Sequence, residues 1–182
     1  MDYQSIINEI AEEVFPLLGD GKVANYIPAL AGVNPKQFAM TLTLFDGTQY
    51  SVGKADTLFS IQSISKVFTF TLALKFYGTD LYKRIGLEPS GNPFNSLVQL
   101  EYEKGKPRNP FINAGAINVT DALINHYGND ETAYEEVLEF IRAISDDKTI
   151  DSSDVVAISE MEHGFRNLAL ANLMKSFNNL DN

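Results

Sequence analysis

The sequence predicts an α+β fold in which one β-hairpin is combined with many helices. An amphipathic helical pattern runs over residues 6–18, and a pair of strand-like segments follows at 38–45 and 48–52. Helical patterns then dominate from residue 63 to residue 177. A two-stranded hairpin is too small to be a stable sheet by itself, so we expect the antiparallel sheet to be incomplete in this chain.

The hairpin is the clearest local pattern. Phe38 to Phe45 is rich in Thr and large apolar residues, and Thr48 to Val52 continues in the same way. Asp46-Gly47 lies between the two segments, and this dipeptide is typical of a two-residue turn with positive φ. The sequence therefore predicts two short strands joined by a two-residue turn.

A helix is predicted from Ser63 to Tyr77, with Gly78 ending it. Its apolar residues lie on nearly all sides, which is typical of a central, buried helix. Residues 86–113 are rich in Gly, Pro and Asn, so a long loop or a series of turns is expected there. Further helical patterns follow at about 116–127, 131–144, 152–162 and 165–177.

Composition restricts the class of protein. The chain has 182 residues, of which 45% are hydrophobic, as expected for a single domain over residues 1–182 with its own core. The net charge of −10 disfavours binding to nucleic acid or to anionic membranes. No secretion signal and no apolar run of ~18 residues is found, so a cytoplasmic protein is expected. Without cysteine, disulfides and thiolate catalysis are excluded.

Histidine is not expected to act as a catalytic base. Only His126 and His163 occur, and each lies near the predicted end of a helix. Structural roles are therefore expected for both, and a Ser–His–Asp triad is disfavoured.

A Ser-x-x-Lys motif at residues 63–66 carries the clearest catalytic chemistry. Spacing i, i+3 on a helix brings Ser63 and Lys66 onto one face. Burial disfavours the charged form of a lysine, and a neutral lysine can take the proton of a serine hydroxyl. Backbone N–H groups at the helix start would stabilise a developing oxyanion. The motif is also compatible with a purely structural interpretation, in which Ser63 caps the helix and Lys66 extends to solvent.

Four segments, in order along the chain, resemble the serine-dependent glutaminases. The motif segment Phe59–Lys66 is one of them, and the other three are Lys22–Leu30, Arg108–Ala116 and Glu160–Asn167. Together they fall within about residues 20–178. The resemblance implies a fold like that of penicillin-binding proteins and serine β-lactamases, and hydrolysis of L-glutamine to L-glutamate and ammonia. It implies that Ser63 is the acylated nucleophile and Lys66 its base.

The resemblance also implies the residues that bind glutamine. Tyr26 corresponds to a tyrosine that closes over the site, and Gln62 and Ser63 contact the substrate at the nucleophile. The α-amino and α-carboxylate groups of glutamine are implied to be held by Asn113, Glu160 and Asn167. A zwitterionic amino acid needs a carboxylate for its ammonium group and amide donors for its carboxylate, which agrees with these residue types.

The sequence departs from the family at its C-terminal end. Glutaminases continue with tyrosine-bearing helices and a Lys-Ser-Gly-type strand that supplies a second oxyanion donor, and neither is found here. We therefore expect the chain to be the N-terminal portion of a glutaminase domain, with little activity alone. A homo-oligomer, dimer or tetramer, is expected to cover its apolar surface.

Two other functions stay open. A β-lactamase- or transpeptidase-like acyl enzyme shares Ser-x-x-Lys but requires a Ser-Asp-Asn or Tyr-x-Asn motif, which Ser153-Asp154-Val155 does not supply. A non-catalytic assembly fragment is the other alternative. Neither a nucleotide-binding nor a zinc motif is found, so no cofactor and no metal are predicted.

Overall fold

The computed structural model describes all residues from Met1 to Asn182. It contains ten labelled elements: α1 (Tyr3–Val14), α2 (Pro28–Ala31), β1 (Ala39–Thr43), β2 (Gln49–Gly53), α3 (Ser65–Tyr77), α4 (Leu97–Tyr102), α5 (Asn113–Tyr127), α6 (Asp130–Ser145), α7 (Asp154–His163) and α8 (Phe165–Ser176). They form two units. One comprises Met1–Ser60 with Asp154–His163, and the other comprises Ile61–Ser153 with Gly164–Asn182. The predicted α+β class is confirmed.

In the first unit, helix α1 packs against the hairpin. Its first turn is capped by Asp2, whose carboxylate accepts a hydrogen bond of 3.0 Å from the Ser5 N–H. The rings of Tyr3 and Tyr50 lie 5.7 Å apart, which joins α1 to β2. The two strands pair antiparallel, with Thr41 opposite Ser51 at the centre of the register.

The hairpin turn is longer than the sequence predicts. The Gly47 N–H donates to the Leu44 carbonyl at 3.0 Å, and the Leu44 N–H donates to the Thr48 carbonyl at 2.9 Å. Gly47 alone takes a left-handed conformation in this turn, with φ of 86°. The prediction of a two-residue turn is therefore wrong. The loop between the paired residues Leu44 and Thr48 has three residues and ends in a left-handed glycine, and such a loop also connects strands with the correct twist.

The second unit contains the larger core, and helix α5 is at its centre. Buried apolar side chains of α3, α5 and α6 form one cluster together with the segment that follows α3; its members are Leu72, Ala73, Leu81, Ile85, Val119, Ala122, Leu123 and Ala133. A second cluster joins α4, α5 and α8 through Leu100, Ala114, Leu170 and Met174. Helix α5 therefore packs against both α3 and α8.

Helix α3 differs from its prediction in two ways. The regular helix begins at Ser65, and Ser63 lies on a preceding 3₁₀ turn over Gln62–Ile64. Only Leu72 and Ala73 of α3 are buried, whereas Val67 is 49% exposed. The expectation of a buried helix is thus only partly right. An apolar composition on all faces does not determine which elements of the chain cover each face.

The stretch from 86 to 113 is more regular than expected. Ser96 caps helix α4 by accepting a hydrogen bond of 3.3 Å from the Gln99 N–H. The prediction of a loop is wrong at α4, because the surrounding Gly and Pro residues obscure a six-residue helix. The helical patterns further along are confirmed by α5, α6, α7 and α8.

Candidate active site

Ser63 lies on a tight turn just before α3. The Ile64 N–H donates to the Ile61 carbonyl at 2.9 Å, which closes the turn around Gln62 and Ser63. Gln62 has a φ of 42°, in the left-handed region that residues with a side chain rarely adopt. A residue held there costs on the order of 1–3 kcal/mol, and such strain is common at functional sites. The Ser63 side chain is exposed on this turn.

Lys66 lies in the first turn of α3 and points toward the segment that leads into α5. Its Nζ donates to the Asn113 Oδ1 at 2.8 Å and to the Phe111 carbonyl at 3.2 Å. It also lies 5.8 Å from the centroid of the Phe94 ring, at the distance of a cation–π contact. The ammonium group is therefore held in place by two oxygen acceptors and one aromatic ring.

Asn113 connects Lys66 to helix α8. While its Oδ1 accepts from Lys66, its Nδ2 donates to the Asn167 Oδ1 at 3.0 Å. Three residues implied by the resemblance therefore form one hydrogen-bonded row across α3, α5 and α8. We call this row, Lys66–Asn113–Asn167, the polar row.

The start of α5 depends on a close backbone approach. A Cβ atom on Gly115 would lie 1.9 Å from the Asn109 carbonyl oxygen, so only glycine fits there. The Asn113 N–H donates to the Phe94 carbonyl at 2.9 Å. These contacts bring the segment before α5 against Lys66. The Phe111 carbonyl and the Phe94 ring were missed by the sequence analysis, because a backbone carbonyl leaves no signal in the residue type.

Two other predicted site residues lie in the first unit. Tyr26 precedes α2 and is 69% exposed, and Glu160 lies on α7 and is half-buried. Helices α2 and α7 are joined by a hydrogen bond of 3.2 Å from the Ala29 N–H to the Ser159 Oγ. Tyr26 and Glu160 therefore belong to neighbouring segments of one unit. Their participation in a site with Ser63 stays a prediction.

Both histidines make structural contacts. The His126 ring stacks on Phe76 near the end of α3, with centroids 3.8 Å apart. The His163 Nδ1 lies 2.8 Å from the Ser159 carbonyl oxygen, one turn earlier on the same helix. These contacts agree with the structural roles expected from the sequence.

One buried carboxylate of the second unit lies away from the polar row, two turns further along α5. Asp121 is 3% exposed and pairs with the Arg84 guanidinium at 2.5 Å. It also accepts hydrogen bonds from the backbone N–H groups of Asp181 and Asn182. Burial alone would raise the pKa of Asp121, but these N–H groups and Arg84 outweigh it and lower the pKa. Asp121 therefore fixes the segment after α8 onto α5.

No group of three or more His, Asp or Glu side chains is arranged to hold a metal ion. None of the helices combines the length and the apolar character needed to cross a membrane.

Known proteins resemble this chain in both sequence and structure. A model of the Glutaminase family matches residues 21–182. The glutaminase of Aliarcobacter butzleri (strain RM4018) is 60% identical over 182 residues, which are 100% of this chain and 59% of that protein. The chain thus spans about three-fifths of the length of this relative.

Solved structures give the same result. A Bacillus glutaminase matches with a TM-score of 0.84 and 29% identity, over 98% of this chain and 56% of its own. A probable glutaminase from Bacillus subtilis, complexed with 6-diazo-5-oxo-L-norleucine, matches with a TM-score of 0.82 and 30% identity, over 99% and 54%. The predicted resemblance is confirmed by these matches in fold and sequence. The chain belongs to the glutaminase family.

Proposed function

We propose that the protein is a glutaminase, which hydrolyses L-glutamine to L-glutamate and ammonia. The observation that carries the proposal is the polar row, which begins one helical turn after Ser63 in a chain that belongs to the glutaminase family. It supplies an amine held in place three residues after an exposed serine, and amide groups suited to an amino-acid ligand. The chain spans 59% of its Aliarcobacter relative, so the activity is proposed for the complete protein.

In the proposed mechanism Ser63 is the nucleophile and Lys66 its base. A neutral Lys66 takes the hydroxyl proton as the Ser63 Oγ attacks the side-chain amide carbon of glutamine. The proton then passes to the amide nitrogen, the C–N bond breaks and ammonia leaves. Water attacks the resulting ester in the same way, and glutamate is released. The Ser63 N–H at the start of the helical segment would stabilise the oxyanion in each step.

The proposal for substrate binding is supported by residue chemistry. Glu160 would pair with the α-ammonium group, and the amides of Asn113 and Asn167 would hydrogen-bond to the polar groups of the amino-acid backbone. Tyr26 would close over the bound substrate, and Gln62 would contact it next to Ser63. L-glutamine is thus the proposed ligand, and the proposed mechanism uses no metal and no cofactor.

The test is ammonia release from L-glutamine by the purified complete protein, with Ser63→Ala as the comparison. Treatment with 6-diazo-5-oxo-L-norleucine provides a second measurement, because this diazoketone alkylates an activated nucleophile. Peptide mass spectrometry should find the adduct on Ser63 in the wild type and none in Ser63→Ala. Turnover of nitrocefin without ammonia release from glutamine would instead indicate a β-lactamase-like acyl enzyme.

We also propose that the protein is a cytoplasmic homo-oligomer. Support comes from large apolar side chains that lie exposed on the chain, including Leu58 (96%) and Phe165 (73%). Light scattering after size-exclusion chromatography tests the oligomeric state. A monomer at micromolar concentration would contradict this part of the proposal.

A further inference from the structure

We propose that Asn109 is a positioning residue for Lys66. Its side chain holds the turn that presents the Phe111 carbonyl and the Asn113 side chain to the Lys66 ammonium group. The inference rests on the proposed function only insofar as Lys66 is the base. The contact between this turn and Lys66 can be tested separately from activity.

The Asn109 side chain uses both ends of its amide within this turn. Its Oδ1 accepts from the Phe111 N–H at 3.0 Å and from the Ile112 N–H at 3.2 Å. Its Nδ2 donates to the Glu88 carbonyl at 2.9 Å. One half-buried amide thus satisfies two backbone donors of its own turn and binds the turn to a separate segment.

The two N–H groups that Asn109 accepts lie directly beside the groups that contact Lys66. The Phe111 residue donates its N–H to Asn109 and offers its carbonyl to Lys66 at 3.2 Å. Ile112 donates to Asn109 and immediately precedes Asn113, which accepts from Lys66 at 2.8 Å. Of the two acceptors of the ammonium group, one belongs to a residue whose N–H Asn109 binds, and the other belongs to the residue that directly follows such an N–H.

The backbone on either side of Asn109 is fixed by close packing. The Glu88 N–H donates to the Arg108 carbonyl at 2.8 Å, so residues 88 and 108 are paired before the turn begins. The close approach of Gly115 to the Asn109 carbonyl fixes the turn against α5. Between these anchors, Asn109 is the side chain that determines how the Phe111 and Ile112 peptides are oriented. Helix α5 itself starts at Asn113, and its N-cap residue, Ile112, makes no side-chain capping hydrogen bond.

Lysine requires such positioning because its side chain is long and flexible. Ordering it requires acceptors with fixed positions, since its rotamer entropy opposes any single geometry. Without Asn109, the Phe111 and Ile112 N–H groups would lose their acceptor and the turn would relax. The Phe111 carbonyl and Asn113 Oδ1 would then no longer be held together around the ammonium group.

Competitive amine labelling tests the contact directly. The native protein is treated with a trace of acetic anhydride, and the labelling of Lys66 is compared with that of exposed Lys75 by peptide mass spectrometry. Asn109→Ala should raise the Lys66 to Lys75 ratio several-fold. Asn109→Asp keeps the oxygen acceptor for both N–H groups but loses the donor to the Glu88 carbonyl, so it should restore part of the protection.

A matched control separates positioning from general destabilisation. Asn129 accepts a hydrogen bond of 2.7 Å from the Thr132 N–H and caps α6. Asn129→Ala removes a comparable side-chain acceptor from the same unit. It should lower Tm about as much as Asn109→Ala does, but leave the ratio of Lys66 to Lys75 labelling unchanged. If Asn109→Ala does not fold, Asn109→Ser replaces it, because the shorter hydroxyl cannot reach both N–H groups.

Kinetics give the second measurement. In the active protein Asn109→Ala should lower kcat about 10–100-fold, as expected for a misplaced catalytic group, with KM changed little. An unchanged Lys66 ratio in a folded Asn109 variant would overturn the proposal, as would an equal rise in Asn129→Ala. If the wild-type protein releases no ammonia from glutamine, the proposed function is overturned. The labelling of Lys66 would still decide the role of Asn109 in that case.

Discussion

Lys66 and Asn113 are 47 positions apart in the sequence, and their side chains share a hydrogen bond of 2.8 Å from Nζ to Oδ1. The bond joins the first turn of α3 to the first residue of α5. It leaves the Asn113 Nδ2 to donate to Asn167 on α8. Three helices therefore bring one polar group each to the same place.

Ser63→Ala should abolish glutamine hydrolysis in the complete protein, because no other group is proposed to attack the amide. Lys66→Ala should do nearly as much damage, since the hydroxyl would lack its base. Ammonia release measures both effects, and the far-ultraviolet circular dichroism spectrum checks the fold. Ser65→Ala is the matched control on the same turn and should keep most of the activity. More than a few per cent of residual activity in Ser63→Ala would contradict the covalent mechanism.

The polar row should behave as one coupled unit. We expect Asn113→Ala and Asn167→Ala to be non-additive in kcat/KM, with a coupling energy of about 0.5–3 kcal/mol, because residues in one hydrogen-bonded network share their effects. A double-mutant cycle measures this coupling. Asn172→Ala removes another asparagine of α8, one that hydrogen-bonds only within its helix, to the Leu168 carbonyl, and should show no coupling to Asn113→Ala.

Glu160→Gln should mainly raise KM. Removing one partner of a desolvated charge pair typically costs about 2–4 kcal/mol, and the α-ammonium group of glutamine would lose its carboxylate. Steady-state kinetics with L-glutamine check this expectation. The exposed Glu162 on the same helix serves as the control, and Glu162→Gln should leave KM nearly unchanged. Equal KM values for the wild type and Glu160→Gln would exclude this role.

The left-handed backbone at Gln62 should be visible in stability. Glycine adopts a φ of 42° without steric cost, so Gln62→Gly would remove the backbone strain at this residue. We therefore expect the free energy of unfolding not to fall in this variant. Gln62→Val should lower it by about 1–2 kcal/mol, because a β-branched side chain is disfavoured in the left-handed region. Urea unfolding of the two variants gives the comparison. Equal stability of the glycine and valine variants would show that the turn adopts another conformation in solution.

Asp121 should make the second unit sensitive to acid. Its pKa in the folded chain is lowered, so the unfolded chain binds the proton more readily and folding becomes less favourable as the proton binds. The stabilisation is fully present above the ordinary pKa of an aspartate, about 4. It is lost as pH falls through the lower pKa of the folded state.

Urea unfolding at several pH values from 7 downward tests this dependence. Asp121→Asn should lower the free energy of unfolding at pH 7. In this variant the free energy of unfolding should also fall less steeply toward low pH than in the wild type. Asp80→Asn is the control, because Asp80 forms an exposed ion pair with Lys83, and such pairs contribute little. A pH profile of Asp121→Asn that is parallel to that of the wild type would contradict the assignment.

The secondary structure that depends on local spacing could be predicted well. The later helices were located from apolar periodicity, since a 3.6-residue repeat is imposed by the residues of the helix itself. Two of the errors came where two local conformations compete at similar cost. The hairpin loop has three residues, 45–47, instead of the two predicted, and Ser63 was placed on α3 although it lies on the 3₁₀ turn before it.

The sequence alone predicted Ser63 and Lys66 as nucleophile and base, which stays a prediction, and it identified the family through four resembling segments. It did so because these features depend on residue type and short spacing. Only the tertiary structure decided that Lys66 meets Asn113 and the Phe111 carbonyl, and that Asn109 holds that turn. Asn109 lies two and three residues from the N–H groups that it binds, but the two contacts of Lys66 join segments more than forty residues apart. They depend on how α5 packs against its neighbours and on a glycine that lets two backbones approach, and these are properties of the folded chain as a whole.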